Sequence, residues 1–265
     1  MPWVEFKKTL KSVAGRAAEA TGLLERRCRQ SMTIVTFHRV NDVLPEDGLT
    51  CSSQKFTEFC RFFRKHFRVI PLSEQVEGCR RGLDMRATLS VTFDDGYVDN
   101  FVVAAPILTR LKIPATFFVT TGFIGSSIAP PWDDQLRVPQ HWMSWDQVRE
   151  LATQGFDVGS HSHHHINLST SNPSAVRVDL ENSQKTLQQE LGSPARLFAY
   201  PFGREGDISE VSRELIRSAG FDCCLSCFGG VNRLDADPYR LRRISIGEWF
   251  ASPHQFALEF VLARI

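Results

Sequence analysis

The chain lacks any apolar run near the eighteen or so residues that a membrane-spanning helix needs. Charges interrupt its N-terminus every few residues, so no signal-peptide core is visible either. It also lacks a strong charge of either sign. Lys and Arg total 31 against 30 Asp and Glu, a formal +1, which removes the electrostatic argument for nucleic acid as a partner. No Ser/Gly-rich linker and no internal repeat is present, which argues against tethered modules or a solenoid. Cysteine is limited to seven residues, an odd number that fits a reduced compartment better than a disulfide-stapled domain. Cys224-Leu-Ser-Cys227 has no second pair, and Cys223 and Leu225 make it read as an apolar strand rather than a metal or redox motif. The expected location is therefore cytoplasmic or membrane-peripheral.

What is present is 265 residues with 42% hydrophobic content, enough for one large α/β domain or two small ones. The charge is uneven. Residues 1–30 carry seven basic groups (Lys7, Lys8, Lys11, Arg16, Arg26, Arg27, Arg29) against Glu5, Glu19 and Glu25, a net +4, so the rest sums to −3. Trp3, Phe6, Leu10, Val13, Ala17 and Leu24 recur there at helical spacing. Two readings follow: peripheral membrane contact through residues 3–29, or a helix docked on the domain. The expected division is an N-terminal basic amphipathic helix at residues 1–30 and one domain at residues 31–265.

Along the chain, strands are predicted at 32–37, 89–93, 114–119, 155–159, 197–200, 221–225 and 241–246, with 68–72 short and extended. Helices are predicted at 54–67, 99–112 with a kink at Pro106, 144–153, 172–191, 207–219 and from about 253. Phe56, Phe59, Cys60, Phe63 and Phe67 form one core-facing stripe. Residues 122–143 lack periodicity and read as a long loop over a site. Regular alternation of strand and helix is the signature of a parallel α/β fold, open or closed into a barrel.

The distinctive polar residues fall just past strand ends. Leu89-Ser-Val-Thr-Phe-Asp94-Asp95-Gly96 places two carboxylates on an extended segment, where neighbours point different ways and serve different partners. Burying such a pair needs a nearby cation. Ser160-His161-Ser-His-His-His165 offers one, since two imidazoles and a carboxylate hold a divalent ion with open positions. On spacing alone, His163 and His164 compete with His161 and His165 for that role. His38 and Tyr200 also follow predicted strands, and a closed barrel would gather these ends on one face.

Thr92-Phe-Asp-Asp-Gly96 and His161-Ser-His-His-His165 resemble the first two motifs of the polysaccharide deacetylases, metal-dependent carbohydrate esterases. Phe198-Ala-Tyr-Pro-Phe-Gly203 is similar to the third. The resemblance spans about residues 32 to 246 and implies a single-domain, distorted (β/α)7-8 barrel. It implies Asp94 as the base that activates water, and Asp95, His161 and His165 as ligands of one divalent ion: zinc, with cobalt, nickel or manganese as alternatives. The implied reaction is hydrolysis of an N-acetyl group from an amino sugar in a glycan. Tyr200, Pro201 and the Phe202 N–H would form the oxyanion and substrate wall.

The chain departs from the family pattern in three places. Ala199 stands where the third motif often has Arg, and Arg243 in Leu241-Arg-Arg-Ile244 is the expected substitute. The late Leu-x-His is missing, and His254 matches it poorly. His38, in Ile34-Val-Thr-Phe-His38-Arg39-Val40, resembles a histidine near the N-terminus of exopolysaccharide deacetylases and is the expected acid or substrate-binding group. An aromatic wall is expected from Trp249, Trp132 or Trp142. A small-amide hydrolase on the same fold and a glycan-binding pseudoenzyme are the alternatives.

Overall fold

Short apolar strands that are buried on both faces must be covered by helices on the outside, and the chain supplies both in alternation. The computed structural model describes residues 3–136 and 138–263, with side chains from Phe6 onward. Residues 1, 2, 264 and 265, at the outer edges of the two expected segments, and the side chain of Trp3 lie outside the described residues. The elements are α1 (Trp3–Ala20), α2 (Leu23–Cys28), β1 (Thr33–Phe37), β2 (Arg39–Val40), β3 (Thr50–Cys51), α3 (Ser53–His66), β4 (Arg68–Val69), α4 (Leu72–Arg80), β5 (Thr88–Phe93), α5 (Ala105–Leu111), β6 (Ala115–Val119), α6 (Trp145–Thr153), β7 (Asp157–Ser160), α7 (Pro173–Leu191), α8 (Glu210–Ser218), β8 (Leu225–Gly229), β9 (Leu241–Ser245) and α9 (Pro253–Leu262).

The parallel strands run in the order β7-β6-β5-β1-β9-β8, and β4 pairs with the start of β5. Two single bridges, Ser160 to Phe198 and Ala199 to Leu225, join β7 to β8 and close the ring. The result is the distorted (β/α) barrel expected from the sequence. Its weakest stave is the segment predicted as a strand at 197–200, which makes only those bridges before Pro201 stops it. The strand predicted at 221–225 instead begins at Leu225. Residues 222 and 224 donate to the Arg196 and Pro238 carbonyls, so they do not lie beside another strand.

Register decides what meets at the mouth. Phe37 pairs with Phe93, so His38 and Asp94 emerge side by side from adjacent strands. Val119 pairs with Ser160, which delivers His161 next door. Val35 pairs with Ile244, leaving Arg243 one residue lower, inside the barrel.

The core is rich in phenylalanine. Ser52 caps α3, and the whole predicted stripe from Phe56 to Phe67 is buried against Phe37, Phe93, Phe250 and Phe256, mostly edge-to-face. The helix predicted at 99–112 is a π segment over Asn100–Ala104 followed by α5. Pro106 has no N–H for the ordinary ladder, and the wider turn ahead of it carries Asn100 to the His38 carbonyl at 2.7 Å. Helix α4 was not anticipated, because few apolar residues mark it. Its buried Gln75 is satisfied instead by the Thr33 carbonyl and Thr88 hydroxyl.

Among the described residues, no helix is long and apolar enough to cross a membrane. Helix α1 docks on α9 at one point of very close approach: a Cβ on Gly15 would stand 1.7 Å from the His254 carbonyl oxygen. Ala is the better helix former by about 1 kcal/mol, but a backbone clash of that depth outweighs the gain. Gly15→Ala should therefore undock α1 while leaving the barrel folded, as the proposed division at residue 30 requires. Limited proteolysis should cut residues 3–30 faster in the variant. Equal rates in both proteins would show that the approach at Gly15 does not hold the helix.

Candidate active site

The strand ends open into a cavity of about 950 Å³ lined by His38, Asp94, Asp95, His161, His165 and Trp249, among others. Asp94 and Asp95 part company there, as neighbours on an extended segment should.

Asp94 is fully buried. Both of its oxygens accept from Arg243, Nη1 to Oδ1 and Nη2 to Oδ2, each at 2.7 Å. The guanidinium is itself completely buried, and its other donors reach the Ser226 carbonyl and the Thr36 and Thr92 hydroxyls. Burial by itself would raise the Asp94 pKa, but Arg243 and the neighbouring imidazoles outweigh it and hold the carboxyl below its usual range. Arg243 thus occupies the position beside Asp94 that Ala199 leaves unfilled.

Asp95 turns the other way on a left-handed backbone (φ 76°). Its Oδ1 lies 3.3 Å from His161 Nε2 and 3.4 Å from His165 Nε2. The His161 Nδ1–H donates to the Ala199 carbonyl at 2.9 Å, which turns the Nε2 lone pair toward Asp95. This donor set fits a divalent ion: three ligand atoms lie within 4.8 Å of one another and the remaining side is open to the cavity. The field of the carboxylates has the sign a dication requires. Despite burial, Asp94 and Asp95 push the His161 pKa up, and the imidazoles hold Asp95 well below the ordinary carboxylate value.

The histidine turn resolves the competition that spacing left open. The buried Asp179 carboxylate accepts from the backbone N–H of both His163 and His164. The His163 ring then bonds Thr121, and His164 bonds Asp179 and faces solvent, so neither reaches Asp95. Six described non-glycine residues have positive φ, and four of them (Asp95, Ser162, His165, Phe202) belong to this site, where that backbone sets the directions of the side chains.

His38 lines the cavity with Nε2 3.9 Å from Asp94 Oδ2, and its Nδ1 is buried without a partner. Burial lowers its pKa, so the imidazole is neutral near pH 7. His254 is elsewhere: it pairs with Glu19 on α1. Tyr200 borders the cavity, but its hydroxyl points into the core toward Ser212. Pro201 is buried, and the exposed ring of Phe202 packs on His165 at 4.8 Å. Trp132 and Trp249 line the cavity, whereas Trp142 stacks on Tyr97 in the wall.

Sequence reasoning missed Arg39 and Cys227. Arg39 is buried and pairs with Asp133 and Asp47, which ties the long loop carrying Trp132 to β2. Its position directly after His38 was the available signal, but the partner lies 94 residues away. Cys227 lies in the cavity, in a second cluster with His38 and Asp94, while Cys224 is buried away from it. Of the cysteine pair read as an apolar strand, Cys227 lies within β8, and Cys224 is buried just before it.

A family model described as polysaccharide deacetylase matches residues 84–224. Poly-beta-1,6-N-acetyl-D-glucosamine N-deacetylase of Staphylococcus aureus (strain MRSA252) is 26% identical over 166 residues, covering 59% of this chain and 54% of that one. The chain spans about half the length of the curated relatives it matches. The structure of IcaB from Ammonifex degensii superposes with a TM-score of 0.74 at 25% identity, covering 88% of this chain and 98% of that one. The Streptococcus pyogenes deacetylase PplD in complex with acetate gives 0.72 at 19% identity, covering 85% and 96%, a likeness of fold.

Removing one partner of a buried ion pair leaves the other uncompensated, at a cost of about 3–5 kcal/mol. Arg243→Met should lower stability by that amount, and Arg243→Lys by less, since it keeps the charge but loses the two-pronged contact. Urea unfolding midpoints decide it. A methionine variant within about 1 kcal/mol of the parent would mean that Asp94 is protonated or otherwise compensated.

Proposed function

The chain belongs to the polysaccharide deacetylase family, and on that premise we propose that it hydrolyses the N-acetyl group of an amino sugar within a glycan. One observation carries the reading: an ionised, arginine-held carboxylate, Asp94, stands beside a separate three-ligand cluster, Asp95-His161-His165. A binding module has no need of a base held in that way.

In this reading Asp95, His161 and His165 hold one divalent ion, with zinc best matched to two imidazoles and a carboxylate. Such an ion lowers the pKa of water toward about 7 and draws charge from a carbonyl oxygen. Asp94 takes the proton of the attacking water as the new C–O bond forms. The N–H of Phe202, whose ring packs on His165, has no acceptor among the described residues and would receive the developing oxyanion. His38, neutral and 3.9 Å from Asp94, accepts that proton and returns it to the amide nitrogen as the C–N bond breaks. The products are acetate and a free amine. Arg243 touches no substrate; it positions the base.

The cavity supports a glycan rather than a small amide. At about 950 Å³ it is at the large end for a single small ligand. Trp132 and Trp249 at its walls are suited to the apolar faces of sugar rings. Acetate release from N-acetylglucosamine oligomers, with and without a chelator, tests the assignment directly.

Two variants separate the roles. His161→Ala should lose both bound metal, by elemental analysis, and acetate release. Asp94→Asn should keep the metal and lose about 10²–10⁴-fold in turnover, because an amide takes no proton from water. Near-parental turnover in the asparagine variant would remove Asp94 as the base.

His38→Ala should keep metal and fold but lower the turnover number, with little change in KM. The acid-side limb of the pH–rate profile that its lowered pKa sets should disappear. If stability falls while turnover and pH profile stay as they were, His38 only braces the end of β1.

A further inference from the structure

Helix α1 is docked by the wrong face for an ordinary amphipathic helix. At about 100° per residue, Lys8, Ser12, Gly15 and Glu19 share one side and Phe6, Leu10, Val13 and Ala17 the other. The first set faces the barrel. Lys8 Nζ donates to the Glu248 carbonyl, Ser12 and Ser252 share a hydrogen bond at 2.8 Å, Gly15 lies against His254, and Glu19 pairs with His66 and His254. The second set faces outward, with Phe6 49%, Leu10 59% and Val13 60% exposed. A lone exposed leucine needs no account, but a continuous stripe over three turns does.

The flanks of the stripe are basic. Lys7 borders one edge and Arg16 the other, with no acidic residue between them on the outward side, while Lys11, further round, pairs with Glu259 on α9. Against a second copy of the chain, such a stripe would bring cationic edges together, because a two-fold contact presents the same surface twice. A surface that is apolar within and anionic at its rim matches both features.

We propose that α1 is an interfacial helix that seats the protein on an anionic lipid surface, with Phe6, Leu10 and Val13 in the acyl boundary and Lys7 and Arg16 at the headgroups. The docked barrel uses the polar side of the helix, and Phe6, Leu10 and Val13 stay exposed on the other. The same helix steadies Glu248, the neighbour of Trp249 at the cavity, so seating leaves the catalytic end assembled. This inference does not depend on which reaction the cavity performs.

The test uses the full chain and vesicles of phosphatidylcholine alone or mixed with phosphatidylglycerol. The protein should float with the anionic vesicles, stay behind with the neutral ones, and be released by salt. The triple variant Phe6→Ser, Leu10→Ser, Val13→Ser should bind about tenfold or more weakly, with unchanged helix content. A second variant, Lys7→Gln with Arg16→Gln, should also weaken binding, and it guards against misfolding of the first. Failure of the parent protein to float, or equal flotation of the triple variant, overturns the proposal. So does light scattering that finds a dimer which the triple variant splits, since that gives the stripe to a second copy.

Discussion

The buried pair of Asp94 and Arg243 is the constraint around which the barrel mouth is arranged. Two charges removed from water are costly, and their attraction compensates only if every remaining donor is also satisfied. Here the guanidinium spends its fork on Asp94 and its other N–H groups on Ser226, Thr36 and Thr92. Those partners sit on β8, β1 and β5, so one side chain from β9 cross-links four staves. The same contacts keep the carboxylate ionised and fix its direction. A carboxylate held in this way cannot also turn toward His161 and His165, which Asp95 faces instead.

The neighbouring turn follows the same logic with strain in place of charge. Ser162 and His165 adopt left-handed backbone conformations that their side chains disfavour. Asp179 accepts two backbone N–H groups beneath the turn, Ser160 accepts from Ser162, and Ser162 accepts from His165. These bonds hold the two outer histidines of the run toward Asp95 and send the two inner ones away. Behind them, the stacked and edge-to-face phenylalanines of β1, β5, β6 and α3 give the strand ends a rigid base.

The periphery is tied to the same centre. Arg39, next to His38, holds the loop that brings Trp132 over His165 at 4.5 Å. Helix α1 reaches the opposite rim through Glu248. Both walls of the cavity are therefore anchored by cationic side chains bonded to oxygens far away in sequence.

Local order was legible in the chain itself. Alternating strands and helices, the Phe stripe of α3, the two adjacent carboxylates and the histidine run all depend on residues within a few positions of one another, where periodicity and backbone sterics act. The parallel α/β class followed from that alternation, while its closure into a barrel and Arg243 at the gap left by Ala199 followed from the family resemblance. Tertiary structure alone decided the rest. Which histidines turn inward depends on Asp179, and the exclusion of His254 depends on Glu19. The π segment at Asn100 needed the His38 carbonyl as its partner. Most of all, nothing in the spacing of Phe6, Leu10 and Val13 tells which way a helix will dock. That was decided by the clearance at Gly15 and the polar partners on α9, because packing compares surfaces that the sequence holds some 240 residues apart.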